Sequence, residues 1–161
     1  MKVSTESLMP SDLSAEEAQL CFKIIQAGAA VSLARAKSEF SKAMLVAIRR
    51  EDGQIVGVGV VKMQRTDYAT LIASPSKANF AFDSRMHEIG YVSVKKECEG
   101  RGHCQAIIAS LLSGFATRPV FATTFTEAMK HILPKFGFVQ RGKNWLGDKG
   151  DDVSLWIKET P

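Results

Sequence analysis

The residue types from which a reaction site could be made concentrate between His87 and Leu112, HEIGYVSVKKECEGRGHCQAIIASLL. Ile89 to Val94 is an apolar run rich in β-branched and aromatic residues, which predicts a strand. Gly100 and Gly102 stand in the polar turn that follows. Behind them Ile107, Leu111 and Phe115, with Ile108 and Leu112 alongside, repeat at helical spacing. Strand, glycine turn and helix leave the first N–H groups of the helix without backbone partners, where the macrodipole adds roughly half a positive charge. Such a turn suits an anion, above all a phosphate, and glycine lets the anion come close. The two common nucleotide loops do not fit. No Gly-Lys-Ser/Thr follows, and Gln105 stands where the third glycine of GxGxxG belongs.

The spacing resembles instead the acetyl-CoA pyrophosphate loop of the GNAT family of N-acetyltransferases. That pattern is a hydrophobic residue, four of any kind, Gln or Arg, two of any kind, Gly, one of any kind, Gly or Ala. Val94, Glu99, Gly102 and Cys104 occupy its fixed positions, so Glu99 replaces Gln/Arg and Cys104 replaces Gly/Ala. A second stretch, Leu133-Pro-Lys-Phe-Gly-Phe138, is similar to the family's late motif of tyrosine followed shortly by Gly-Phe. The resemblance implies that backbone groups of Val92, Ser93 and Val94 line the pantetheine arm. It implies that the diphosphate meets the backbone of Gly100, Arg101, Gly102, His103 and Cys104, with Glu99 in the same turn and Gln105 close by. Lys95, Lys96 and Arg101 are then candidates for the adenosine 3′-phosphate.

Acetyl transfer from a thioester to an amine needs a proton acceptor, because amines of pKa roughly 8 to 10 are mostly protonated at neutral pH. General-base help is worth on the order of 10²–10⁴ in rate. Glu88, six residues before Val94, resembles in position the general-base glutamate of the family's histone-acetylating branch. On a regular strand it shares a face with Val92 and Val94, and Tyr91 lies on the other face. Family members often carry an asparagine and, seven residues later, a tyrosine whose hydroxyl protonates the leaving thiolate. Counted back from Gly137, those positions are Thr126 and Leu133. Thr126 is therefore a cofactor-binding candidate, whereas leucine has no proton to give. Phe80, Phe82 and Trp145 are candidates for lining the acceptor site.

The elements that must position these residues follow from patterning. The 161 residues, 45% hydrophobic and 24% charged, suit one folded domain over residues 1–161. No stretch reads as a bilayer span or a secretory signal, and the three cysteines have no metal-like spacing, so a cytoplasmic protein without a metal is expected. The net charge of +4 favours anionic ligands only weakly and makes nucleic acid an unexpected partner. Ser11 or Ser14 caps a first helix carrying Leu20, Ile24 and Ala27. A break near Gly28 precedes a short helix from about Leu33 to Ser41, and a first strand within Lys2 to Leu8 is expected from the resemblance. Met44 to Arg50 and Gln54 to Val61 form a hairpin through Asp52-Gly53. Gly57 and Gly59 mark a twist or a close approach. Pro119 to Phe125 reads as a strand, Thr126 to Lys135 as a helix, and Val139 to Trp145 with Val153 to Lys158 as a second hairpin. Met63 to Arg85 is mixed and polar. The expected class is α/β in the mixed α+β sense: a central, mostly antiparallel sheet with helices on both faces.

The functional expectation is an acetyl-CoA-dependent N-acetyltransferase acting in a ternary complex on a primary amine, in a family that often forms homodimers. Two alternatives stay open: a non-catalytic acyl-CoA-binding module, and toxin-like acetylation of aminoacyl-tRNA.

Overall fold

The computed structural model describes residues 1–29, 31–62, 76, 86–114, 119–147 and 150–159. The reading of Met63 to Arg85, with Phe80 and Phe82, thus falls outside the described residues, Ser76 alone excepted. The chain contains a seven-stranded mixed sheet in the order β1-β2-β3-β4-β5-β7-β6 and divides into two compact units, Met1–Met63 with Ile89–Gly114 and Gln64–Glu88 with Phe115–Pro161.

In the first unit β1 (Val3–Leu8), β2 (Leu45–Glu51) and β3 (Gln54–Lys62) run antiparallel, followed by β4 (His87–Val94). Asp52 and Gly53 both take positive φ, 48° and 82°, the backbone that a two-residue hairpin turn requires. Helix α1 (Ala15–Ala29) starts where Ser14 Oγ accepts from the Glu17 N–H and Glu17 Oε1 accepts from the Ser14 N–H. This reciprocal cap satisfies two otherwise orphaned donors. The helix runs through Gly28, where the sequence suggested a break. Helix α2 (Leu33–Ser41) is capped by Ser32, whose hydroxyl accepts from the Arg35 N–H. Cys21, Ile24 and Ile25 of α1 pack with Ala36 and Phe40 of α2 against Val46, Ile48, Val58 and Val60 of the sheet.

The opposite face of the same strands receives helix α3 (His103–Gly114). A Cβ on Gly57 would lie 2.8 Å from Ile107 Cδ1, and one on Gly59 would lie 2.6 Å from Ile107 Cγ2. The two glycines therefore let α3 seat directly on β3, which resolves the choice left by the sequence in favour of close approach. Alternation along β2 divides two consecutive arginines between the faces. Arg50 turns to Glu17 of α1 at 2.7 Å, while Arg49 turns to His103 of α3 at 3.0 Å.

In the second unit β5 (Val120–Thr124) pairs antiparallel with β7 (Asp152–Lys158), and β7 with β6 (Val139–Leu146). His87 and Glu88, the first residues of β4, pair in parallel with Val120 and Phe121. Met86, Phe121, Leu155 and Ile157 form the core, with Trp145 packed against it. The helix expected from Thr126 to Lys135 is α4 (Glu127–Ile132), which tightens into a 3-10 turn over Leu133–Phe136. Pro134 has no N–H to continue the α ladder, and Gly137 at φ 88° ends the turn.

Candidate active site

The glycine turn before α3 has the geometry its sequence suggested. Gly100 and Gly102 have φ of 78° and 80°, a backbone region that L side chains rarely adopt, and a Cβ on either would meet nothing within 4 Å. The space beside both glycines is therefore open. The first bond of the helix runs from the Ala106 N–H to the Gly102 carbonyl at 3.2 Å. Among the described residues no acceptor meets the N–H groups of His103, Cys104 and Gln105. Three donors and the positive end of a twelve-residue helix thus lie next to the open turn.

The side chains around the turn divide sharply. Glu99 and Gln105 are exposed; Cys104 is half-buried, its thiol pKa raised by burial and then by the charge of Glu99. Burial pushes the Cys21 thiol up to about 12, and Cys98 is buried as well. A thiolate nucleophile is disfavoured at Cys21 and Cys104. His103 and Arg101 turn away from the open side. The His103 imidazole, 3% exposed, lies 2.7 Å from Glu51 Oε1 through Nε2, and Arg49 Nε donates to its Nδ1 at 3.0 Å. Arg101 Nη1 donates to both oxygens of Glu51 at 2.9 and 2.8 Å, and Nη2 to the Glu97 carbonyl. The His103 side chain is thus taken up within the fold, which leaves its backbone for an anion as expected, and the Arg101 guanidinium is paired with Glu51. Glu51 was not singled out from the sequence, where it reads as the last residue before a hairpin turn. The hydrogen bonds of His103 and Arg101 hold its carboxyl below the usual carboxylate range. Lys96 is exposed and Lys95 half-buried, with the Lys95 N–H on the Val56 carbonyl at 2.8 Å.

Strand β4 carries the remaining candidates. Val92 Cγ2 and Val94 Cγ2 lie over Gly59 and Gly57, 3.2 and 3.3 Å from where their Cβ atoms would be, on the α3 face. Ser93 points to the other face, where its Oγ is 2.6 Å from the position a Cβ of Gly28 would take. Its hydroxyl is buried without a hydrogen-bond partner, so a cofactor could use only the Ser93 backbone. Tyr91 is left-handed at φ 52°, which breaks the regular pleat. Tyr91 nonetheless lies with Ser93 on the face opposite Val92 and Val94, as alternation expects. The Tyr91 ring lies under Lys62 Nζ at 3.9 Å and its hydroxyl bonds Glu39, so it is an engaged group of the α1–α2 face. Glu88 is 3% exposed in the second unit, beside Phe121 in the parallel ladder.

Two other candidates in the second unit are held by the fold. Thr126 is the N-cap of α4: its Oγ1 accepts from the Met129 N–H at 3.3 Å and lies 3.4 Å from Thr124 Oγ1. Leu133 is fully buried, and His131 is exposed. Trp145, half-buried, packs on Met86, Phe121, Leu155 and Ile157.

No family model matches the sequence, and no curated protein matches it. Solved structures do. A GNAT-family acetyltransferase from Streptococcus agalactiae superposes with a TM-score of 0.71 at 15% identity, covering 98% of this chain and 96% of that one. A putative GNAT acetyltransferase from Desulfovibrio desulfuricans gives a TM-score of 0.71 at 12% identity over 98% and 99%. A GNAT acetyltransferase from Elizabethkingia anophelis, crystallised with acetyl-CoA, gives 0.64 at 10% identity over 98% and 97%. The fold of this chain is the GNAT acetyltransferase fold. No helix among the described residues is long and apolar enough to cross a membrane.

Proposed function

We propose that the protein is an acetyl-CoA-dependent N-acetyltransferase that moves an acetyl group directly to a primary amine. The observation that carries this reading is the open turn at Gly100 and Gly102 in a GNAT fold, next to three helix N–H groups with no partner among the described residues. Those amides and the α3 dipole bind the diphosphate through backbone alone, so Glu99 and Cys104 in place of the usual residues leave the essential donors intact. The backbone of Val92, Ser93 and Val94 lines the pantetheine arm. Acetyl-CoA supplies an activated carbonyl on a good leaving group. Glu88 takes a proton from the acceptor ammonium, directly or through one water, so that the free amine attacks the thioester carbonyl; the C–S bond then breaks, and the surplus proton on the amide nitrogen passes to the thiolate through water. The thiolate, with a pKa of roughly 8 to 9, leaves without an acid at Leu133. Direct transfer is favoured over a cysteinyl intermediate because the Cys21 and Cys104 thiols are held protonated by burial. Location in the cytoplasm and pairing into a homodimer belong to the same proposal; light scattering on the purified protein tests the second.

Thiol release from acetyl-CoA across an amine library tests the activity. Glu88→Gln should lower kcat by about 10²–10⁴ while leaving the Kd for acetyl-CoA unchanged. Equal kcat in wild type and variant would remove Glu88 from the mechanism. One observation favours a second reading, a non-catalytic acyl-CoA-binding module: the buried leucine where relatives place a proton donor. Tight acetyl-CoA binding with no thiol release for any amine would select that reading.

A further inference from the structure

One carboxylate holds both flanks of the anion-binding turn. Glu51 closes β2, and across 50 and 52 positions of sequence its oxygens meet Arg101, the residue before Gly102, and His103, the residue after it. The carboxylate is 8% exposed and the imidazole 3% exposed. Arg49 fixes the direction of the network. Its guanidinium is always a donor, so the Nδ1 that accepts from it carries no proton, and the His103 proton sits on Nε2, aimed at Glu51. Arg49 is tied in turn to Thr5 of β1 through Nη1 at 2.7 Å. The chain Thr5–Arg49–His103–Glu51–Arg101 therefore joins two neighbouring strands to the turn with every donor directed. Arg49 and Arg101 bring two positive charges and Glu51 one negative, so one positive charge remains under the turn, the sign an anionic ligand requires.

We propose that Glu51 is a positioning residue for the cofactor turn: by holding Arg101 and His103 back against β2 it keeps the amides of residues 103 to 105 uncapped and aimed at the diphosphate of the acyl donor. This rests on the acetyl-CoA reading above and goes beyond it by naming a residue that no motif marks. The proposal predicts an effect of unexpected sign. Glu51 is negative and lies beneath an anion site, so by charge alone its removal would tighten binding. By position, its removal frees both flanks and weakens binding.

The test compares Glu51→Gln with wild type on two acyl donors, acetyl-CoA and S-acetyl-pantetheine, which has no diphosphate. A glutamine can accept at its carbonyl but presents an NH2 group to the other donor, so one of the two flanks loses its acceptor. The expected result is a Kd and KM for acetyl-CoA raised about tenfold, with kcat and the KM for S-acetyl-pantetheine unchanged. A general structural defect would move both donors together, and tighter acetyl-CoA binding would reduce Glu51 to a mere charge; either overturns the proposal. If Glu51→Gln does not fold, Arg101→Gln on the exposed side of the clamp takes its place. In the ligand-free protein it should speed hydrogen exchange of the amides at 100 to 103 and raise the KM for acetyl-CoA about threefold. Unchanged exchange would overturn the proposal. Wild type that binds no acetyl-CoA ends the acetyl-CoA reading itself, whereas wild-type binding equalled by Glu51→Gln ends only the role of Glu51.

Discussion

The starts of α3 and α4 are both helix N-termini in a GNAT fold, and they are built for opposite purposes. At α4 the chain caps itself: Thr126 Oγ1 takes the Met129 N–H, and the residue seven positions on, Leu133, is sealed in the core. At α3 the flanking side chains are drawn down to Glu51, Gly102 has none, and the first three N–H groups have no partner among the described residues. The contrast shows which functions withstand replacement of side chains. A site made of backbone amides depends on φ and on what is kept out of the way, so Glu99 and Cys104 alter its charge but not its donors. A role that depends on one hydroxyl ends when that residue becomes leucine.

Substitutions that exchange the properties of the two termini sharpen this comparison. The largest effect is expected at Gly102, where φ of 80° is strained for any side chain. Gly102→Val should raise the Kd for acetyl-CoA at least thirtyfold by isothermal calorimetry, with strain of about 1–3 kcal/mol lowering stability as well. Next comes Leu133→Tyr, which overfills a fully buried position. It should cost about 1–3 kcal/mol by urea denaturation with no gain in kcat, and a rate increase would mean that the position still reaches the leaving group. Thr126→Ala should cost about 1 kcal/mol of stability, the ordinary loss of a helix cap, and leave the KM for acetyl-CoA where it was. A KM effect there would make Thr126 a ligand and break the comparison. The smallest effect is expected at Glu99, exposed beside Cys104. Glu99→Gln should lower the Kd for acetyl-CoA about two- to threefold at low salt, and the gain should shrink as salt is added.

The parts of this architecture legible in the sequence are those set by local pattern. The Asp52-Gly53 hairpin, α2, and the strand–turn–helix from β4 to α3 follow from period, turn chemistry and glycine. Glu51 was not legible because its meaning is tertiary: only folding brings the end of β2 against a turn half a hundred residues away. The left-handed backbone of Tyr91 was hidden for a different reason. Alternation sets its face correctly, opposite Val92 and Val94, but an aromatic residue at positive φ inside a strand gives no sign of itself in composition. The packing of Trp145 was hidden in the same way as Glu51: its partners Leu155 and Ile157 stand on β7, the strand paired with its own.

The central claim, that the first amides of α3 receive the phosphates of an acyl donor, is tested most directly by titrating ¹⁵N-labelled protein with acetyl-CoA. The amide resonances of Gly102, His103, Cys104 and Gln105 should move furthest and saturate together. Saturable binding that left those four unmoved would contradict it.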